Sequence, residues 1–247
     1  MTPPISTYSI QPVVTPPKTA FRARPAPSPQ LCLPRHVAVA MDVSRYDDAL
    51  QFGGALAELL QICLEQDVEW LSLFVPEALA QDVNFAAVLE NFIRAQAEPL
   101  ALSGMRFVAP ANSEKTSSVF TKAIQAAAAR PVENVLLNVS ISVNDGRVEL
   151  LEAIKMLAAE AAAGRMLPES IDAKAIERGL ALNGLPPVDL LIRTGGEQSL
   201  SSFLLWHAAY AELLFLDAPF ARLRRQNLKA ALSDYARRRR TFGALPK

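Results

Sequence analysis

The chain has 247 residues, 51% of them hydrophobic, and its 25 basic and 25 acidic side chains cancel to a formal net charge of zero. That length suffices for one large α/β domain with a real core, and the balanced charge argues for an ordinary soluble protein with no nucleic-acid partner. Cys32 and Cys63 lack metal-ligand spacing and make no disulfide framework, so a reducing cytoplasm is the expected compartment; no apolar run reaches the roughly 20 residues that span a bilayer, and the N-terminus lacks the basic-then-apolar mark of a secretory signal.

Residues 1–34 contain nine prolines, among them Pro3, Pro4, Pro12, Pro25 and Pro34. Proline fixes φ and removes a donor, so this stretch reads as a disordered or extended tail, and the folded domain is expected over 35–247. It opens with an apolar strand, His36 to Met41, that closes on Asp42. From Ala49 to Glu65 apolar residues recur at helical spacing. Trp70 to Val75 reads as the second strand. A helix over Val83 to about Glu98 follows, with Phe85, Val88, Leu89, Phe92 and Ile93 on one broad face. Pro99 is expected to end it. Met105 to Val108 is a short third strand after Gly104, and Ser117 to Ala129 an alanine-rich helix.

Val135 to Ile141 is the fourth strand, and Asn144-Asp145-Gly146 is a turn signal. Val148 to Ala163 reads as helix closed by Gly164, and Ile171 to Leu182 as a shorter one. Val188 to Ile192 is the fifth strand, Leu213 to Leu216 the sixth, and Leu228 to Arg240 the last helix. Strands alternating with helices predict a mostly parallel six-stranded sheet flanked by helices in a single α/β domain.

The segment from Pro187 to Leu216 organises the rest. Arg193 stands where an apolar strand ends, and Gly195 and Gly196 follow it without a Cβ, so the backbone there can turn sharply and approach a ligand. Ser201 or Ser202 is placed to cap a helix beginning near Phe203. A helix start suits an anion, and an arginine beside it grips an oxyanion with two parallel hydrogen bonds. In open parallel sheets ligands bind beyond the carboxyl ends of strands. Asp42 and Arg193 both stand at such ends and are expected to converge on a phosphate or diphosphate site.

The run Asp189-Leu190-Leu191-Ile192-Arg193-Thr194-Gly195-Gly196-Glu197, then Ser201, Phe203-Leu204-Leu205-Trp206 and Tyr210-Ala211-Glu212-Leu213, closely resembles the signature of the cis-prenyltransferases of the undecaprenyl diphosphate synthase type. It departs at Ser199, where the family has arginine, at Ser202, where it has asparagine, and at His207, where it has glutamine. Pro34-Arg35-His36-Val37-Ala38-Val39-Ala40-Met41-Asp42 is similar to the family's first signature. After Asp42 the likeness thins: the family's wrapping glycines are missing, and the loop is shorter by about ten residues.

The resemblance implies one α/β domain, a homodimer, Mg²⁺ as cofactor, and prenyl transfer from an allylic diphosphate to isopentenyl diphosphate or a related acceptor. It implies that Asp42 engages Mg²⁺ and the allylic diphosphate. Arg45 would stand in for a diphosphate-binding arginine. Arg193, the Gly195–Gly196 turn, Ser201 and Glu212 would hold the second substrate, with Glu212 also on the metal. The helix from Val83 would line the tunnel for the growing chain, although its apolar face is equally explained as core. Arg237 to Arg240 with Phe242-Gly243 would approach a partner subunit; a basic helix end that complements the helix dipole explains them as well. A lipid product would bring peripheral membrane association.

Each assignment has a plainer counterpart: Asp42 as a strand-end cap, Glu212 as a partnered structural carboxylate. Serine at 199 and the altered loop favour a slow, short-chain or atypical synthase, or a non-catalytic subunit of the same fold that supports a separate catalytic chain. An unrelated phosphate-binding protein explains the glycine turn but not the length of the match.

Overall fold

The computed structural model describes residues 33–42, 49–109, 119–143, 145–180, 184–200 and 202–240. The proline-rich leader up to residue 32, Arg45, Ser201 and the Phe242-Gly243 end lie outside the described residues. Six strands form one wholly parallel sheet: β1 (His36–Ala40), β2 (Trp70–Phe74), β3 (Met105–Val108), β4 (Leu137–Ser142), β5 (Leu190–Arg193) and β6 (Glu212–Phe215). Their spatial order is β3-β4-β2-β1-β5-β6. The helices are α1 (Ala49–Glu65), α2 (Glu77–Ala80), α3 (Val83–Leu102), α4 (Val119–Ala128), α5 (Gly146–Ala162), α6 (Ala173–Gly179) and α7 (Arg225–Arg237). Among the described residues no helix is long and apolar enough to cross a membrane.

The central strand shows why the sheet is parallel. All five residues of β1 are buried, so it has no solvent face and reads as a continuous apolar run. Alternation along the strands divides the core in two. Val37, Val39, Leu71, Leu73, Leu190 and Ile192 face the larger cluster, with residues of α1, α3, α4 and α7. Ala38, Ala40 and Leu191 face a smaller one closed by Leu185, Val188, Phe203 and Leu204.

Two sequence expectations are corrected. Pro99 does not end its helix, because α3 runs on to Leu102. Proline lacks only its own N–H, and here its carbonyl still accepts from the Ser103 amide at 3.1 Å and the Ser103 hydroxyl at 2.9 Å. The turn comes at Gly104, with φ +80°. No α-helix starts near Phe203 either: residues 203–210 form consecutive turns, with Leu204 at φ 50°. The Ser202 carbonyl accepts from the Gly146 amide at 2.7 Å, which ties this segment to the start of α5 and presses Phe203 and Leu204 onto the sheet.

A polar chain crosses the apolar sheet. His36, fully buried, has Nδ1 2.8 Å from the Pro186 carbonyl and Nε2 2.9 Å from the Ser72 hydroxyl. A carbonyl can only accept, so Nδ1 carries the proton and Nε2 accepts from Ser72. Ser72 then accepts from Ser140, 2.8 Å away. Burial, partly opposed by the Pro186 carbonyl, lowers the His36 pKa from 6.5 to about 4.

The native state therefore holds this ring neutral while the unfolded chain protonates it first. The His36 contribution is fully present above pH 6.5 and is lost as pH falls toward 4, by up to about 3 kcal/mol. Urea unfolding of wild type and His36→Gln between pH 7.5 and 4.5 tests this. The variant should be less stable at neutral pH but lose less stability on acidification; parallel pH profiles would contradict the assignment.

Candidate active site

The strand order reverses direction at β1. The chain leaves β1 toward β2 on one side and later returns to place β5 on the other. In open parallel sheets such a switch leaves a crevice beyond the carboxyl ends, where ligands bind. Ala40 of β1 is in register with Arg193 of β5, so Asp42 and Thr194 emerge side by side at that crevice.

Asp42 is 2% exposed, and a buried carboxylate needs donors. Its Oδ1 accepts from the Thr194 hydroxyl at 2.7 Å and from the Phe220 amide at 2.8 Å. The Asp42 amide in turn donates to the Thr194 oxygen at 3.1 Å. Phe220 is itself fixed: its ring centroid lies 5.3 Å from that of Phe52 on α1, which meets Phe85 of α3 edge-on at 4.9 Å.

Gly195 and Gly196 have φ of +80° and +75°, a region that suits glycine. Their amides donate to the Ala218 and Leu216 carbonyls at 3.0 and 2.9 Å. They thus lace the β5 turn to the end of β6 instead of pointing donors at an anion. The close approach that Gly195 permits is to Asp42: a Cβ on it would stand 2.3 Å from Asp42 Cβ and 2.7 Å from Cγ.

Arg193 ends β5 at the same edge. Its side chain is 13% exposed, Nη2 lies 3.7 Å from Glu197 Oε2, and buried Nε has no acceptor among the described residues. A guanidinium so placed is able to take an anion.

Glu212 is not brought to this site. It is in register with Leu190 at the amino end of β6, whereas Arg193 is in register with Phe215. Three residues of strand separate the two levels by about 10 Å. Glu212 instead pairs with Arg238 at 3.2 Å, so Asp42 and Glu212 do not share a metal within one chain. Parallel register decides this, because it sends the two ends of each strand to opposite edges. The carboxylate beyond the carboxyl end of β6 is Asp217, whose Oδ1 would lie 4.0 Å from a Cβ on Gly196. Two of the four C-terminal arginines turn inward, Arg238 bonding Glu212 and the Leu213 carbonyl and Arg240 bonding Asp189, while Arg237 and Arg239 are exposed.

Sequence reasoning missed Thr194 and Phe220. Thr194 carried a signal, a hydroxyl one residue beyond the strand-terminal arginine. Phe220 carried none, since it acts through its backbone.

No group of three or more His, Cys, Asp or Glu able to hold a metal occurs among the described residues. A single carboxylate fits Mg²⁺, which keeps several waters and is bound by one or two carboxylates together with substrate phosphates. Asp42 would supply one such carboxylate, and the phosphate oxygens would come from the ligand.

A parallel α/β domain with a carboxylate and a largely buried guanidinium at the switch point is an arrangement able to take an anion. The chain belongs to the undecaprenyl diphosphate synthase family of prenyltransferases. The family model described as "Putative undecaprenyl diphosphate synthase" matches residues 51–243. The chain is 30% identical over 230 residues to an isoprenyl transferase of Zymomonas mobilis, covering 86% of this chain and 93% of that one. It is 32% identical over 232 residues to a decaprenyl diphosphate synthase of Mycobacterium tuberculosis, covering 86% and 77%. Its fold is similar to that of lavandulyl diphosphate synthase from Lavandula x intermedia, solved with dimethylallyl diphosphate (TM-score 0.75, 23% identity, 85% and 98% covered). It is also similar to a probable undecaprenyl diphosphate synthase from Campylobacter jejuni (TM-score 0.68, 24% identity, 85% and 98% covered). The chain is accordingly an enzyme that transfers prenyl groups.

The packing of Gly195 on Asp42 is testable against its neighbour. Gly195→Ala should lower both melting temperature and turnover, the latter by on the order of a hundredfold, because the new methyl displaces Asp42. Gly196→Ala, which meets nothing nearer than 4.0 Å, should carry only the cost of its positive φ, about 1–2 kcal/mol. Equal loss of turnover in the two variants would contradict this geometry.

Proposed function

We propose that the protein condenses an allylic prenyl diphosphate with isopentenyl diphosphate or a related acceptor, with Mg²⁺ as cofactor and a short or atypical product. The observation that carries this reading is that the register of β1 with β5, Ala40 beside Arg193, brings buried Asp42 and the largely buried Arg193 to the same carboxyl edge of the sheet. Prenyl transfer breaks the bond between the allylic carbon and the diphosphate oxygen and forms a carbon–carbon bond to the acceptor's double bond, which then loses a proton. Asp42 is held where it would carry the metal, and bound Mg²⁺ would neutralise charge on the departing diphosphate. Arg193 donates to diphosphate oxygens. The apolar face of α3, with Phe85, Leu89, Phe92 and Ile93, is packed in the larger core cluster, so it supports the core explanation of that face as well as a wall for the hydrocarbon.

The short-chain expectation rests on Ser199, one cation fewer near the acceptor, and on the absence of wrapping glycines at 43–48. Loose positioning of one reactant alone can lower a rate about a hundredfold. We place the enzyme in the cytoplasm, in keeping with its two cysteines, and as a homodimer. The edge strand β6 supports the latter, since Phe215 and nearby Tyr210 are exposed. A monomeric mass by light scattering at micromolar concentration would refute the dimer.

Incubating the protein with isopentenyl diphosphate and dimethylallyl, geranyl or farnesyl diphosphate, with Mg²⁺ or with EDTA, tests the activity by product mass. Short products that need Mg²⁺ are expected. Long polyprenyl chains would contradict the short-chain reading, and no product or diphosphate binding under any pairing would return the non-catalytic alternative. Arg193→Ala should weaken diphosphate binding tens- to a hundredfold, a charge-assisted contact being worth about 2–3 kcal/mol. Since Nε has no acceptor to lose among the described residues, the melting temperature should hold.

A further inference from the structure

We propose that Thr194 is a positioning residue for the reaction: its hydroxyl sets the orientation of the Asp42 carboxylate. This rests on the reading of Asp42 as the group that meets the metal and the allylic diphosphate. The motif that contains Thr194 was assigned above by its arginine and its glycines, and neither gives the threonine a task.

The geometry does. The Thr194 hydroxyl donates to Asp42 Oδ1 at 2.7 Å and the same oxygen accepts from the Asp42 amide at 3.1 Å. One hydroxyl therefore holds both the backbone and the carboxyl end of residue 42, which limits rotation about its two side-chain torsions. With the Phe220 amide also on Oδ1 at 2.8 Å, that oxygen is turned toward the protein. Because a carboxylate is planar, fixing one oxygen fixes the direction of the other. Gly195 packs against the Cβ and Cγ of Asp42 from one side.

Thr194 is suited to the task on three counts. It is fully buried, so water does not compete for its hydroxyl. It is β-branched and stiff at χ1. Its own amide continues the sheet ladder to the Ala40 carbonyl at 3.3 Å, so the donor is mounted on the rigid edge of β5. Catalytic groups perform best when held within a fraction of an ångström by such partners. A cap that merely satisfied a buried carboxylate would affect stability and leave turnover alone, and that difference makes the role measurable.

Thr194→Val keeps the shape and removes the hydroxyl, and Thr194→Ser returns it. The valine variant should lose about ten- to a hundredfold in kcat with the KM for isopentenyl diphosphate little changed. The serine variant should recover most of that loss. Calorimetry with dimethylallyl thiolodiphosphate, which resists ionisation, should show weaker Mg²⁺-dependent binding to the valine variant than to wild type, a readout that needs no turnover. If the valine variant does not fold, Thr194→Ala removes the same hydroxyl without overfilling its site and is judged by the same criteria. Wild-type kcat in the folded hydroxyl-free variant, alongside an inactive Asp42→Asn, would overturn the proposal and leave the reading of Asp42 standing. Full turnover in Asp42→Asn would overturn both.

Discussion

A carboxylate almost without solvent contact has to be surrounded by donors supplied by the fold, and two of those of Asp42 come from Thr194 and Phe220, 152 and 178 residues further along the chain. Thr194 reaches Asp42 only when β5 has docked beside β1, and Phe220 only when the chain beyond β6 has folded back. The same contacts complete the sheet and shape the crevice. An unsatisfied buried carboxylate costs far more than its hydrogen bonds return in net stability, so the joint is formed whole or not at all. Its outer layer is apolar: Phe220 rests on Phe52, and Phe52 on Phe85, which couples the site to α1 and α3.

The two edges of the sheet do different work. At the carboxyl edge stand Asp42, Arg193, the glycine turn and Asp217. At the amino edge charges are satisfied within the chain. Asp189 Oδ2 accepts from the Arg35 and His36 amides at 2.9 and 3.0 Å while Oδ1 meets Arg240, and Arg238 holds Glu212 and Asp234. This second set ties the start of β1 to β5 and to the end of α7. His36 belongs to it, joined to Ser72 and Ser140 through the buried sheet. Most of these pairs lie at or near the surface and add little individually; their effect is to fix where the last helix lies.

The architecture was legible because β1, β2 and β5 are apolar on both faces while α1 and α3 repeat at helical spacing, a contrast that separates strand from helix without tertiary information. Asp42 and Arg193 were legible from their places at strand ends together with the resemblance to a known signature. Three features were not. The helix expected after the glycines fails because Leu204 adopts a positive φ and Ser202 bonds Gly146, contacts that only the folded chain creates. Glu212 was drawn to the site by motif, yet parallel register sends it to the opposite edge. Phe220 donates through its amide, so its side-chain type carries no trace of the role.

The central claim, that the β1–β5 crevice is where the allylic diphosphate and its metal sit, is tested most directly by a crystal structure of the protein with Mg²⁺ and dimethylallyl thiolodiphosphate. The account predicts the thiolodiphosphate and Mg²⁺ beside Asp42, and, when isopentenyl diphosphate is added, the diphosphate of that second substrate within hydrogen-bonding distance of Arg193. It also predicts that the Thr194 and Phe220 contacts to Oδ1 remain in place. Diphosphate bound elsewhere, or an Asp42 that keeps all its oxygens on protein donors while the ligand sits on other residues, would contradict it.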